Sequence, residues 1–267
     1  MNTLLIILLF LILLLTIIYI IYRVFVTNKI IISGFTDSEN TIDIVISRYN
    51  ENLEWLKGLD FKFFKNIYIY NKGPELPSGF TYSNKINIIQ LDNVGRESHT
   101  YLYHIIQNYN NLADVTIFLP GSCDMEHKKD RAAATIEKSI TTHNSVFIVS
   151  GINDVFTQQY DFTLTDYQST NENNKNKNSE YKLYPCPEKP FGKWFEHNFG
   201  NIEVYCMFNC IFSASKKHIH NRSLNFYKNL IKYLDFHSNP EAGHYFERSW
   251  LAIFHPIPDT CQYFQNL

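Results

Sequence analysis

The sequence predicts an α/β domain with a mostly parallel sheet flanked by helices, preceded by one transmembrane helix at the N-terminus. Three observations carry this reading. Residues Leu4 to Tyr22 form an almost unbroken apolar run without charge. Past residue 40, short β-rich apolar runs alternate with helical patterns, as they do in parallel sheets. Polar residues then collect at the C-terminal ends of those runs, where open parallel sheets bind their ligands.

The apolar run is interrupted only by Thr16, Tyr19 and Tyr22. As a helix it spans about 28 Å, roughly the hydrocarbon thickness of a bilayer. A cleaved signal peptide is the competing reading, with an apolar core of about 7–15 residues, basic residues before it and small residues at its cleavage site. Here no Lys or Arg precedes the run, and Tyr22-Arg23-Val24-Phe25 follows it, which favours an anchor over residues 1–29. Arg23 and Lys29 lie just beyond the span; the positive-inside rule then puts the head in the cytoplasm, on a bias of only two charges. Residues 30–41 read as a stem, and 42–267 as a single domain without internal repeats or a second core.

Ile42 to Ser47 is an apolar, β-rich run of the kind a buried parallel strand shows. Asn50 is placed to cap a short helix carrying Leu53, Trp55, Leu56 and Leu59. Asn66 to Tyr70 reads as a second strand, ended by Asn71-Lys72-Gly73-Pro74, and Ile86 to Leu91 as a third. Ser98 to Tyr109 has helical spacing, and Val115 to Leu119 is a fourth strand ended by Pro120-Gly121. Gln168 to Glu180 is polar and of low complexity, and reads as a mobile surface loop. Ile202 to Phe212 reads as a strand, followed by a helix over Leu224–Leu234 and a last helix near Glu241–Phe254.

Composition excludes some classes. The formal net charge is −2, so nothing suggests a sequence-wide attraction to nucleic acid. Aromatic residues make up 16% of the chain, a large share of burial for a core. The five cysteines include no Cys-x-x-Cys pair, which argues against a zinc ribbon or a thioredoxin-like motif. If Ile202–Phe212 is a strand, Cys206 and Cys210 lie about 13 Å apart along it, too far for a disulfide.

Four strand ends carry the candidate chemistry: Ser47-Arg48-Tyr49-Asn50-Glu51, Tyr70-Asn71-Lys72, Asn93-Val94-Gly95-Arg96-Glu97 and Gly121-Ser122-Cys123-Asp124. A surface Arg48–Glu51 ion pair and a plain turn at Asn71-Lys72-Gly73 are the ordinary alternatives. Gly95 and Arg96 precede a helix, whose amino end attracts phosphate, and Arg adds a bidentate fork; capping by Glu97 is the competing role. Ser122-Cys123 lacks the Gly-x-Ser-x-Gly elbow of a nucleophile. In the last helix, Asn239 as cap and Pro240 at the first helical position make a clean start. Glu241, His244 and Arg248 then share a face. Glu241-x-x-His244 has the spacing of helix-borne metal ligands, in a single copy, and a helix-start carboxylate and a structural Glu247–Arg248 pair are the ordinary alternatives.

Ile44 to Glu51, Ile67 to Gly73 and Asn93 to Glu97 with the helix and strand that follow resemble the nucleotide-sugar half of GT-A glycosyltransferases. From Ile42 to Phe254 the chain also resembles the DUF3431 family, through Arg48-Tyr49-Asn50-Glu51, Tyr70-Asn71-Lys72-Gly73, Asn93-Val94-Gly95-Arg96-Glu97-x-x-Thr100-Tyr101-Leu102 and Glu247-Arg248-x-Trp250. The GT-A resemblance implies sugar transfer from a nucleotide-sugar donor to a hydroxyl acceptor. Arg48, Asn50, Glu51, Asn71 and Lys72 would then border the nucleotide, Arg96 and Asp124 would face the diphosphate, and Glu247 or Glu241 would act as base. Such enzymes carry Asp-x-Asp for Mn²⁺ or Mg²⁺; here only Asp124 stands at that place. Metal-assisted transfer through Asp124, metal-free transfer with Arg48, Lys72 or Arg96 offsetting charge, and a fold that has lost its chemistry and serves as a tethered binding protein all stay open.

Overall fold

The computed structural model describes Thr16, Tyr19 and residues 40–77, 80, 83–149, 158–164 and 182–264. The chain divides into two units, Met1–Glu39 and Asn40–Leu267. The expected anchor, most of the stem and the polar loop 168–180 lie outside the described residues, apart from Thr16 and Tyr19, which are helical. Among the described residues no helix is long and apolar enough to cross a membrane.

The larger unit is built on a seven-stranded sheet. Its strands are β1 (Ile42–Arg48), β2 (Asn66–Asn71), β3 (Ile86–Gln90), β4 (Val115–Pro120), β5 (Val146–Val149), β6 (Phe212–Ser215) and β7 (Gln262–Phe264), in the order β3-β2-β1-β4-β6-β5-β7. The first four run parallel. β6 lies antiparallel to both β4 and β5, and β7 pairs parallel with β5. Alternation along β1 explains the two-faced core: Val45 packs with Tyr101, Phe118 and Trp250 on one side of the sheet, Ile44 and Ile46 with Leu53, Leu56 and Ile117 on the other. With both faces covered, every residue of β1 and β4 is buried, which is why both read as continuous apolar runs.

The helices are α1 (Arg96–Asn108), α2 (Glu126–Thr142), α3 (Phe191–Phe199), α4 (Lys216–Ile219), α5 (Leu224–Leu230) and α6 (Glu241–Ile253). Three expectations are corrected. The helix expected after Asn50 is two 3₁₀ turns, Glu54–Gly58 and Phe61–Phe63; the carboxamide of Asn52, not Asn50, accepts from Glu54 N at 2.9 Å. The strand expected over Ile202–Phe212 starts only at Phe212. Asn209 and Cys210 there have φ of 72° and 51°, a left-handed backbone that breaks a ladder. The last helix is capped by the backbone of Pro240 itself, one residue later than expected.

Register sets the strand ends side by side. Ser47 pairs with Tyr70 and with Pro120, and Arg48 with Asn71. The segments leaving β1, β2 and β4 therefore emerge at one edge of the sheet, together with the turn that opens α1.

Candidate functional site at the strand ends

Arg48 is 5% exposed and spends its guanidinium on the neighbouring chain. Its Nη1 donates to Asn71 Oδ1 at 2.5 Å and to Pro74 O at 2.7 Å, and its Nε to Glu51 O at 3.1 Å. Asn71 Nδ2 donates to the carbonyls of Gly73 and Pro74 and to Gln90 Oε1. Burial lowers the Arg48 pKa, with Glu51 acting against it. The Glu51 carboxylate turns back on its own turn, accepting from Tyr49 N at 2.6 Å and Asn50 N at 3.1 Å. It lies against Gly121, where a Cβ would stand 3.0 Å from Glu51 Oε2. Arg48, Glu51 and Asn71 thus form a brace that shapes the strand ends, with half-buried Asn50 on its outer turn.

Lys72 is 6% exposed. Its Nζ donates to the carbonyls of Val94 and Arg96, both at 2.6 Å, and lies 3.5 Å from His99 Nδ1. Burial drives its pKa down to about 7, with Glu97 pulling the other way. This lysine ties β2 to the turn that opens α1. The turn itself is unusual: Gly95 and Arg96 have φ of 60° and 54°. Non-glycine residues held there store backbone strain, which concentrates at functional sites. Of the four described non-glycine residues with positive φ, Arg96 opens this turn, and Cys210, next to Asn209, lies against α1, its Sγ 3.8 Å from Ser98 Oγ. The fourth, His143, ends α2, an ordinary place for that conformation.

Arg96 extends over α6. Its Cδ lies 3.1 Å from where a Cβ on Gly243 would be, its Nη1 is 3.4 Å from Asn239 Oδ1, and its Nε is 3.9 Å from Glu97 Oε2. Burial raises the Glu97 pKa, but Arg96, Lys128 and Lys72 outweigh it and hold the carboxyl below its ordinary range. Lys128 reaches across from α2 to donate to Ser122 Oγ at 2.8 Å, so the β4 exit joins the same cluster. Asp124 follows on that exit and is exposed.

On α6, Glu247 Oε1 accepts from Asn209 N at 2.7 Å. Its Oε2 is 3.9 Å from His244 Nδ1 and 4.0 Å from Arg248 Nη1. Burial, then the charges of Arg96 and Arg248, push the His244 pKa well below its ordinary value, so this imidazole is neutral. The Cys210 thiol is buried between Glu97 and Glu247, and burial followed by those two charges raises its pKa. Glu241 is elsewhere in character. It is fully buried, and its oxygens accept from Leu164 N, Cys186 N and Tyr245 OH at 2.8–2.9 Å; both are consumed in fastening loops to the helix.

Arg96, Glu97, Lys128, His244 and Glu247 are therefore linked electrostatically: Arg96 and Lys128 hold the Glu97 pKa down, Arg96 also lowers that of His244, and Lys72 lies beneath them. Arg96, Lys72, Glu97 and Glu247 are visible in the sequence as site candidates and His244 as a helix-borne ligand spaced three residues from Glu241, whereas nothing in the sequence marks Lys128. Asn209 was hidden by the strand reading, though Asn is among the residues that tolerate positive φ. As for a metal, no group of three His, Cys, Asp or Glu side chains among the described residues converges to hold one.

Fold and cluster define an α/β domain whose ionisable residues gather at the C-terminal edge of a parallel sheet. The family described as "Protein of unknown function (DUF3431)" matches residues 44–266, and the chain belongs to it. A search of curated proteins found no match.

Proposed function

We propose that the chain is a membrane-anchored, GT-A-like glycosyltransferase that moves a sugar from a nucleotide-sugar donor to a hydroxyl acceptor. The observation that supports this best is the approach of Arg96 to α6, which brings a cation and the Glu247 carboxylate to one edge of a parallel sheet. In this reading Arg96 and Lys128 offset the charge that grows on the departing diphosphate. Glu247 takes the acceptor hydroxyl's proton as the new bond to the sugar carbon forms and the bond to phosphate breaks. Asn50, Glu51 and Asn71 shape the nucleotide end, with Arg48 and Lys72 supporting it from below. No step is assigned to Mn²⁺ or Mg²⁺. The test is titration of the detergent-solubilised full chain with nucleoside diphosphates, with and without Mn²⁺. Saturable binding in both conditions, weakened about tenfold or more by Arg96→Ala, is expected; a folded protein that binds no nucleotide in either condition defeats the reading.

One set of contacts favours a second reading, a tethered binding protein without catalysis. Arg48, Asn71 and Lys72 are already engaged by internal partners. That reading predicts nucleotide or sugar binding with no turnover, and a cellular phenotype that survives Glu247→Gln.

A further inference from the structure

A separate cavity of about 960 Å³ opens beside the start of α6, against Pro240 and Ala242. It shares no lining residue with the strand-end cluster. Its walls include Tyr184, Tyr233 and Phe236. Tyr184 and Phe236 are 47% and 50% exposed, and their rings meet edge-on with centroids 5.0 Å apart. Two large rings left half in water side by side retain apolar area that a ligand can cover. Lys189, His197 and Lys232 also line the cavity, and no Asp or Glu does among the described residues. Glu188, between Pro187 and Lys189, is already engaged: it accepts from Tyr233 OH at 2.8 Å and lies 3.7 Å from His197 Nε2. Lys232 Nζ is steadied by Asn229 Oδ1 at 3.0 Å.

We infer that this cavity binds a small organic anion with a planar apolar body, the body against Tyr184 and Phe236 and the acid group at Lys189 and Lys232. The volume falls in the range of small-molecule sites, about 300–1,000 Å³, and the lining has their composition, mostly apolar with a few polar groups that set orientation. Charge complementarity selects an anion over a neutral ring: two exposed lysines and a histidine face the space, with no opposing carboxylate among the described lining residues. The site is independent of sugar transfer and stands whether or not the strand ends bind a nucleotide.

The experiment uses the solubilised full chain and calorimetric titration with 1-naphthalenesulfonate, and with its neutral analogue naphthalene-1-sulfonamide. Saturable sulfonate binding is expected, with the sulfonamide at least about tenfold weaker. Lys189→Ala/Lys232→Ala, at two exposed positions, removes that preference. Tyr184→Ser/Phe236→Ser weakens both probes about tenfold, with an unchanged circular dichroism spectrum. Equal affinity for the two probes, parental binding in either double variant, or no saturable heat would each overturn the inference.

Discussion

Glu247 and Glu241 sit on the same helix, two turns apart at most, and their surroundings assign them opposite work. Glu247 makes one backbone bond, to Asn209 N, and otherwise faces His244 and Arg248 at 3.9 and 4.0 Å. Glu247→Gln keeps the volume and an acceptor oxygen for Asn209 but removes the charge. Nucleotide affinity and the thermal midpoint should stay near those of the parent, while sugar transfer falls by about 10²–10⁴-fold, the usual worth of a positioned base. Turnover retained in this variant would move the base elsewhere. Glu241→Ala should do the reverse. It strands the N–H groups of Leu164 and Cys186 and the Tyr245 hydroxyl, and leaving buried donors unpaired costs about 1–3 kcal/mol each. Denaturant unfolding should show a loss of at least about 2 kcal/mol; a parental midpoint would mean that water or a shifted loop replaces the carboxylate.

The turn between β3 and α1 is the element on which the cluster depends. A Cβ at Gly95 would lie 2.5 Å from Leu234 O and 2.6 Å from His99 Cβ, at a φ of 60°. Gly95→Ala should therefore cost several kcal/mol, about 2–4 from clash and left-handed strain together, and should weaken nucleotide binding by displacing Arg96. Near-parental stability would show that the turn can relax. Lys72 holds the same turn, and its effect can be read from pH. Its folded pKa is about 7 against an ordinary 10.5. Between those values the unfolded chain binds a proton that the folded chain lacks, so stability rises with pH across the window. In the parent that term approaches about 1.4 kcal/mol per pH unit; Lys72→Met removes it. Equal slopes for parent and variant between pH 7.5 and 9 would show that the ammonium stays charged in the fold. The elements around this turn differ in how plainly the sequence displays them. β1 to β4 are evident within a residue or two: β1 and β4, buried on both faces, need unbroken apolar runs, and β2 and the half-exposed edge strand β3 keep β-rich ones. α2 is not: its buried face is made of Ala132, Thr135 and Ser139 with Arg131, which looks polar on paper. β6 is Phe-Ser-Ala-Ser, whose small residues fit between neighbours, with Ser139 Oγ donating to Ser213 Oγ, and its antiparallel direction leaves no trace in composition. The strand-end residues of the site were equally visible, but not that Arg48 and Asn71 bond one another, because that follows from the pairing of β1 with β2.

At the scale of the whole domain, packing helices on both sheet faces buries ionisable groups along with the apolar ones. Among the described residues burial lowers the pKa of five histidines, His218 and His255 among them, and three on α1 and α6 are shifted strongly. His99 and His104 on α1 have pKa values pushed down to about 3, by burial and, for His99, also by Lys72. His244 on α6 is pushed well below its ordinary value by burial, Arg96 and Arg248. His104 accepts or shares a proton with Tyr70 OH at 2.9 Å and packs against the Tyr68 ring, so its neutral form is built into the contact between α1 and β2. Below the ordinary histidine value of 6.5, the unfolded chain takes up protons that the folded chain refuses. More protons bound when unfolded means that stability falls as pH falls, from 6.5 towards the folded values near 3. With all three unfolded imidazoles protonated, the combined slope near pH 5 approaches about 4 kcal/mol per pH unit, enough to consume a typical domain stability of about 5–15 kcal/mol within a few units. The domain should therefore lose its folded state on acidification well before its carboxylates are all protonated. Urea unfolding free energies measured from pH 7 to pH 4 should decline steeply, and His104→Gln should reduce the slope near pH 5 by about 1.4 kcal/mol per pH unit even where it lowers stability at pH 7. A parental slope in that variant would mean that His104 is protonated in the fold, and that the contact between Tyr70 and α1 survives its charge.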